Sequence, residues 1–284
     1  MSITIRYVGS SGNSYDLKSD GFKIVKGDFH KYTWSPDTTS RQYGVKIARF
    51  TKSAISYSTT LAVRGSYAFR RDTLEALHAD FETDILNMSP GRIYWGSCYI
   101  ECYITSNDTS PESDNRWTQN KVTIYCPYPF WIEETEIEIG KLTESTTTDT
   151  DKGYDDGYAY SYSYAASQTI KHVTLSHYGL ATYKLVASGP ASYISVSIDG
   201  TLRTVNYAIA EGETLTIDTR PNLDSDKRIY VTASDGTMTN VFDYRDPDSG
   251  IFDKIQPGIL AVDYSRAYPI TLTLYAERSE PKHG

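Results

Sequence analysis

The sequence has little of what membrane-embedded, secreted or disulfide-linked proteins need. Its apolar runs are shorter than the roughly 18 residues that a membrane-spanning helix requires. Its three cysteines, Cys98, Cys102 and Cys126, are too few for a disulfide framework and lie within apolar strand patterns. No basic leader with a long apolar stretch stands at the start, so we expect a protein that is made and folded in the cytoplasm.

Patterns for catalysis and metal binding are also missing. None of the five histidines has a spacing that pairs it with a nucleophile, and there is no G-x-S-x-G elbow. Structural zinc needs four ligands with CxxC-type knuckles, so we interpret the three cysteines as packed core residues. A calcium loop counted from Asp149 would close on Tyr160 instead of glutamate, which favours solvated loop acids at 149–156 and 243–248 over a loose surface calcium site. We expect no enzyme activity, no cofactor and no metal.

Charge is unevenly distributed along the chain. Residues 1–135 contain 15 Lys and Arg against 15 Asp and Glu, a balance of zero (15 − 15). Residues 136–284 contain 13 against 21, so they carry the whole formal net charge of −8 (13 − 21). Because Lys and Arg supply most of the affinity for nucleic acids, a DNA-binding role is disfavoured.

Alternation of apolar and polar residues predicts strands along most of the chain. Tyrosine is abundant, with 25 copies against 8 Phe, which favours half-buried pleated surfaces. Tyr43, Val45 and Ile47 are typical of this alternation. Strands are also predicted on both sides of a polar loop at 106–115, and turns such as Asp199-Gly200 separate later strands.

One segment has helical spacing instead. Apolar residues that recur every three or four positions predict one helix over about 73–88, with its apolar stripe packed on a sheet. Asp72 and Glu75 stand in capping-box register at its start. The stripe consists of Leu74, Leu77, Phe81, Ile85 and Met88.

The sequence predicts two domains, 1–135 and 154–284, joined by a linker over 136–153 where the apolar signal fades. The first carries the helix, and the short strands of the second are typical of an antiparallel β-sandwich. At the start of the second domain Tyr158, Tyr160, Tyr162 and Tyr164 share one face of a predicted strand. Such a stripe can stack on sugars, but we favour packing between domains or subunits.

Several motifs resemble the distal tail protein (Dit) family of long-tailed phages and prophages of Gram-positive bacteria. They are the segments GRIYWG at 91–96, CYIECYI at 98–104 and VTIYCPYPFWI at 122–132, with NVFDY at 240–244, IF at 251–252, PG at 257–258 and LYAERSEPK at 274–282. The resemblance covers nearly the whole chain.

The resemblance implies a mainly β fold with a tail-tube-like β-sandwich and one packed helix in the first domain, and a galectin-like antiparallel β-sandwich in the second. It implies a structural virion protein at the tail tip or baseplate, in which six copies form a homohexameric ring. The implied partners are the major tail tube protein, the tape measure protein, the tail-associated lysin or hub protein, and receptor-binding proteins or adhesins. DNA would cross the channel without specific binding, which suits a first domain with zero net charge.

Two other functions remain open at this point. A glycan-binding adhesin could contact the host cell wall through the second domain, and the particle could be a tail-like bacteriocin instead of an infectious virion. A wall-degrading enzyme is remote, because no paired-acid or nucleophile context is present.

Overall fold

The computed structural model describes residues 3–18, 21–111, 117–139, 169–175, 179–264 and 268–282. The chain folds as two compact units, Met1–Glu133 with Glu277–Gly284, and Glu134–Ala276. The last residues therefore belong with the first unit, whereas the sequence assigned them to the second domain. Most of the predicted linker lies outside the described residues, and residues 136–139 are the end of a strand.

The first unit contains ten strands and an α-helix in the described residues, with the tenth strand ending in the second unit. They are β1 (Ile5–Val8), β2 (Ser14–Asp16), β3 (Phe22–Gly27), β4 (Ser35–Ser40), β5 (Val45–Thr51), β6 (Ile55–Arg64), α1 (Tyr67–Leu86), β7 (Gly91–Trp95), β8 (Cys98–Pro111), β9 (Trp117–Cys126) and β10 (Trp131–Ile139).

Two antiparallel sheets of the first unit share the long strand β8. Residues 98–102 of β8 pair with β7, in a sheet of order β2-β1-β7-β8-β10, and the rest of β8 pairs with β9, in a sheet of order β3-β6-β9-β8. The prediction of a loop at 106–115 is wrong for residues 106–111, since β8 continues to Pro111. Backbone hydrogen bonds to β9 hold this polar stretch, and they do not require apolar side chains.

The helix begins earlier than the sequence predicts. Ser66 is its N-cap, because the Ser66 hydroxyl accepts a hydrogen bond from the Phe69 amide at 3.3 Å. Asp72, the predicted cap, lies inside the helix, where its carboxylate is exposed and pairs with Arg71 at 2.8 Å. The first turns were missed because they contribute little to the apolar stripe.

The predicted stripe of the helix is only half buried. Leu74, Leu77 and Phe81 pack in the core of the first unit. Ile85 and Met88 are 41% and 80% exposed, so the prediction that they are buried is wrong. On the last turns of the helix, buried positions are occupied by Asp80 and Asp84 instead.

The second unit is an antiparallel sandwich. Its sheets have the orders β17-β16-β15-β12-β19 and β11-β18-β13-β14. Alternate residues of both sheets meet in one apolar core, to which Leu185, Val196 and Leu272 contribute. The strands are β11 (Thr169–Leu175), β12 (Ala181–Ser188), β13 (Ile194–Ile198), β14 (Thr201–Val205), β15 (Thr214–Asp218), β16 (Ile229–Thr232), β17 (Met238–Asn240), β18 (Gly258–Tyr264) and β19 (Ile270–Arg278).

The fold class is confirmed: the chain is mainly β, with antiparallel sheets in both units and one α-helix in the described residues. The turn at Asp199-Gly200 is confirmed as well. Both residues have positive φ, 53° and 74°, as a two-residue hairpin turn requires.

Candidate assembly surface

Strands β4 and β5 form a separate two-stranded sheet in the first unit, called here the hairpin. A four-residue turn at 41–44 joins them, and the Arg41 amide donates a hydrogen bond to the Gly44 carbonyl at 3.1 Å. Every residue of both strands is exposed. The two strands therefore satisfy each other's inner backbone hydrogen bonds, but no described residue of the unit covers either face of the hairpin.

A bulge gives the hairpin one apolar face. Thr38 pairs with Ile47 and Asp37 with Arg49, so Ala48 is the extra residue on β5. With strict alternation Phe50 and Ile47 would lie on opposite faces of the hairpin. The extra residue shifts the pairing by one position and brings Phe50 to the face of Ile47. Val45, Ile47 and Phe50 therefore lie on the same face, with exposed fractions of 59%, 48% and 56%.

The other face of the hairpin is charged. Lys46 points to this face, and the Arg49 Nε donates to Asp37 Oδ2 at 3.1 Å across the strands. Two-stranded hairpins are marginally stable in water by themselves. Exposed apolar residues gathered on one face of such an element are typical of a surface that another chain covers.

The base of the hairpin is held by a lysine among aromatic rings. Lys52 follows β5 directly, and its Nζ lies 4.5 Å from the centre of the Phe130 ring and 5.4 Å from that of Trp34, the residue before β4. The same Nζ donates to the Pro129 carbonyl at 2.7 Å. Burial lowers the pKa of Lys52 from 10.5 to about 8, although the charge of Glu277 acts in the opposite direction.

The C-terminal segment at 277–282 completes this base. Trp34 Nε1 donates to Ser279 Oγ at 3.2 Å, and the Tyr128 hydroxyl donates to Glu277 Oε1 at 2.5 Å. Lys282 forms an ion pair with Glu133. Residues that are far apart in sequence thus fix both ends of the hairpin where it leaves the unit.

A second exposed apolar patch lies where α1 ends. Ile85, Leu86 and Met88 are 41%, 81% and 80% exposed. They are called here the helix-end patch. The backbone there is held by hydrogen bonds from the Asn87 amide to the Thr83 and Ile85 carbonyls.

Two buried carboxylates hold this end of the helix against β1 and β2. The Tyr7 hydroxyl and the Ser10 amide donate to Asp84, and the Tyr15 hydroxyl donates to Asp80 Oδ2 at 2.6 Å. Burial alone would raise the pKa of Asp80. The hydrogen bonds that Asp80 accepts lower the pKa by more, so it lies below its ordinary value. Ser11 and Asn13 are the other donors to Asp80.

Most residues singled out from the sequence take no part in this surface. The stripe of Tyr158, Tyr160, Tyr162 and Tyr164 lies outside the described residues, so its packing role stays a prediction. The interpretation of the cysteines is confirmed, since all three are buried and free. A hydrogen bond with Cys126 and burial raise the pKa of the Cys102 thiol.

Sequence reasoning missed the lysine at the hairpin base and the bulge. Lys52 carries no motif, and Phe130 and Ser279 approach it only through the fold. A local signal for the bulge was available only as a break in alternation between Ile47 and Phe50.

The second unit has an open cavity of about 430 Å³ beside the turn at 199–200. Polar side chains such as Asp199, Thr201 and Gln256 line it. The buried guanidinium of Arg203 also lines it, and its Nη1 donates to the Ile198 and Thr201 carbonyls at 2.9 and 2.8 Å. No aromatic ring is among its described lining residues, so it lacks a stacking platform for a sugar.

The described ranges contain no membrane-spanning helix and no cluster of metal ligands. No described helix is long and apolar enough to cross a membrane. No group of three or more His, Cys, Asp or Glu side chains among the described residues could hold a metal ion. The acidic cluster at 149–156 is outside those ranges.

Comparison with known proteins gives matches among solved structures. No protein-family model matches the sequence, and no curated protein does. The Dit (gp 19.1) protein of phage SPP1, described as a paradigm of the hub adsorption apparatus in phages that infect Gram-positive bacteria, is similar with a TM-score of 0.60 and 13% identity. The match covers 98% of this chain and 100% of the SPP1 protein.

Chains of the phage P2 baseplate in its activated conformation are similar to the same degree. The structure with Ca gives a TM-score of 0.62 at 11% identity, and the one with Sr gives 0.60 at 13%. Each match covers 99% of this chain and 100% of the other. The chain therefore has the fold of phage Dit and baseplate hub proteins, as the sequence motifs predicted.

Proposed function

We propose that this chain is a structural subunit of the distal tail hub of a phage. In this proposal six copies form a ring through their first units, and the ring joins the tail tube to the baseplate or tip. The second, galectin-like unit carries the host-recognition proteins. The protein performs no reaction, and its place is the virion tail.

The observation that carries the proposal is the similarity of fold over the whole chain. The similarity includes both units, and it extends over the full length of proteins described as hub and baseplate components. A shared module would match one unit only. A match of both units in one order favours a shared role in assembly.

The surface of the first unit also supports assembly. A subunit of a larger particle needs exposed apolar residues that neighbours cover, and the hairpin and the helix-end patch both provide them. The zero net charge of residues 1–135 suits a ring that DNA crosses without binding. The partners we propose are the tail tube, the tape measure, the tail-associated lysin and the adhesins.

Native mass spectrometry of the full chain tests the proposal. We expect a species with six times the mass of the 31.9 kDa chain, and ring-shaped particles by negative-stain electron microscopy. The protein is measured over a range of concentrations, because assembly depends on mass action. A chain that stays monomeric at every concentration, both alone and with a purified tail tube protein, contradicts the proposal.

The second candidate is a glycan-binding adhesin, for which the polar cavity of the second unit is the specific observation. Retention of the protein on host wall polysaccharide would support it. The variant Asp199→Ala, which changes the cavity lining, should reduce that retention. A protein that forms rings and shows no retention rules this candidate out.

A further inference from the structure

We propose that Cys102 and Cys126 are a redox-sensitive pair, which closes into one intrachain disulfide when the folded chain meets a small-molecule disulfide as oxidant. Both cysteines are free thiols in the structure. The inference goes beyond the proposed function, because it concerns covalent chemistry within the first unit and does not depend on assembly.

The register of two neighbouring strands places the two cysteines opposite each other. Strand β8 pairs antiparallel with β9, and the pairing ends with Tyr103 opposite Tyr125. The next step of the same register puts Cys102 opposite Cys126. Residues that lie opposite each other in a sheet point to the same face. Both cysteines are accordingly part of the apolar core of the first unit.

Opposite residues of an antiparallel pair have the separation that a disulfide needs. Their Cα atoms are about 4.5 or 5.5 Å apart, depending on whether the pair is hydrogen-bonded. A disulfide usually joins Cα atoms that are about 4.4 to 6.8 Å apart. A hydrogen bond links the thiols of Cys102 and Cys126, which independently shows that the two sulfur atoms are neighbours. Formation of the bond therefore needs little movement of either strand.

The third cysteine, Cys98, lies too far away to take part. It precedes Cys102 by four residues on the same strand, so their Cα atoms are about 14 Å apart at about 3.4 Å per residue. Cys98 lies opposite Trp95 and Glu133 instead. A disulfide cannot bridge Cα atoms more than about 7 Å apart unless the backbone moves. The fold thus specifies one pair among the three cysteines.

The oxidant reaches the pair through the end of β9. Both thiols are 0% exposed, so the strand end must open before either one reacts. Cys126 is the last residue of β9, and its partner Ile55 is the first residue of β6. Strand ends open more easily than the middle of a strand. Cys102 lies inside β8, and its hydrogen bond and burial raise its pKa, so Cys126 reacts first.

The reaction consists of two thiol–disulfide exchanges. The Cys126 thiolate attacks one sulfur of the oxidant R–S–S–R and forms a mixed disulfide, and the leaving thiolate takes up the proton that Cys126 lost. The Cys102 sulfur then attacks the Cys126 sulfur, and the second R–S group leaves with the proton of Cys102. The two protein thiols lose two electrons in all, and the oxidant is reduced to two thiols.

The place where this happens rests on the proposed function. A tail subunit is made in a reducing cytoplasm and acts outside it, where disulfides persist. The bond closes a loop between residues 102 and 126 in the unfolded chain, which stabilises the folded first unit. We expect its thermal unfolding midpoint to rise by about 5 to 15 °C on oxidation.

Counting the free thiols of the full chain tests the pair. The protein is purified with reductant, transferred into oxidised glutathione at neutral pH, then unfolded and alkylated with N-ethylmaleimide. We expect the alkylated thiols to fall from three to one in a chain that stays monomeric on a non-reducing gel. A proteolytic digest should contain linked peptides with Cys102 and Cys126, and the unfolding midpoint should rise as stated.

Cys98→Ser is the matched control, because it removes a buried thiol from the same strand. This variant should still form the bond and lose both remaining free thiols, whereas Cys102→Ser should form no intrachain bond. The incubation is repeated in urea below the unfolding transition, which opens the strand end more often and gives the oxidant access.

Three alkylated thiols in the unmodified chain under both conditions would overturn the inference. A bond that includes Cys98, or glutathione that stays on Cys126 without being displaced, would overturn it as well. None of these readouts uses ring formation, so the inference and the proposed function can fail separately.

Discussion

Two hairpins of this protein, β4–β5 and β13–β14, share two local features but have opposite environments. Strands β5 and β13 both begin with alternating apolar and polar residues, and each turn contains a glycine with positive φ, Gly44 at 75° and Gly200 at 74°. Val45 of the first hairpin is 59% exposed, whereas Val196 of the second is 1% exposed.

The difference lies outside the hairpins. Strand β13 also pairs with β18, and its inner face meets the other sheet of the second unit in a common core. Among the strands that the structure describes, β4 and β5 pair only with each other. Alternation in sequence thus decides which side chains share a face, but strands far along the chain decide whether that face is covered.

The largest effect that tests this comparison is loss of a buried side chain. Ile198→Ala in β13–β14 should lower the free energy of unfolding of the second unit by about 2 to 5 kcal/mol, because it leaves a cavity. Ile47→Ala in β4–β5 should change that of the first unit by no more than about 0.5 kcal/mol, because about half of the Ile47 surface is already exposed and no core cavity is left.

The measurement is urea unfolding followed by circular dichroism, on protein dilute enough to be monomeric. Dilution matters because any association through the hairpin would stabilise the folded chain. Equal losses for the two variants would mean that the hairpin face is covered within a single copy, and the contrast between the two hairpins would be lost.

The same contrast limits what the sequence could predict. Local chemistry was enough for the turn at 199–200, for the fold class and for the strand that holds Val45 and Ile47. It was not enough to predict that these two residues are exposed, because the sequence at 35–51 does not indicate whether a third strand pairs with the hairpin. The helix start was misplaced because Ser66 precedes turns with little apolar pattern.

The candidate surface depends still more on distant residues. Lys52 is held by Phe130 and by the carbonyl of Pro129, and the C-terminal Ser279 holds Trp34. No local pattern places these residues together. The family motifs lie largely on strands that contribute to the cores, while the exposed patches that we assign to assembly lie outside those motifs.

A smaller effect separates local from global stability. Gly44→Ala and Gly200→Ala each force an alanine into a left-handed conformation, at about 1 to 2 kcal/mol, and the built Cβ meets no atom within 4 Å at either site. In β13–β14 the strain should appear in the unfolding of the second unit. In β4–β5 it should instead open the hairpin alone, because few contacts tie it to the core.

Hydrogen exchange followed by mass spectrometry distinguishes the two cases. Gly44→Ala should speed the exchange of amides in 45–51 by about tenfold and leave the urea midpoint unchanged, since 1.4 kcal/mol corresponds to a factor of ten. Gly200→Ala should lower the midpoint. A lowered midpoint for Gly44→Ala would show that the hairpin unfolds together with its unit.

The smallest effect is a pH dependence that only the first hairpin should have. Because the pKa of Lys52 is lowered from 10.5 to about 8, the unfolded chain binds its proton more tightly than the folded one. The contribution of Lys52 to stability should therefore increase as the pH rises from about 8 to 10.5, and it should be constant below that window.

The Lys52 Cε chemical shift should titrate near pH 8, and the difference in stability between Lys52→Met and the unmodified chain should change over the same window. A Lys52 that titrates near 10.5 would mean that its amine is solvated and that the aromatic rings do not hold the base of the hairpin.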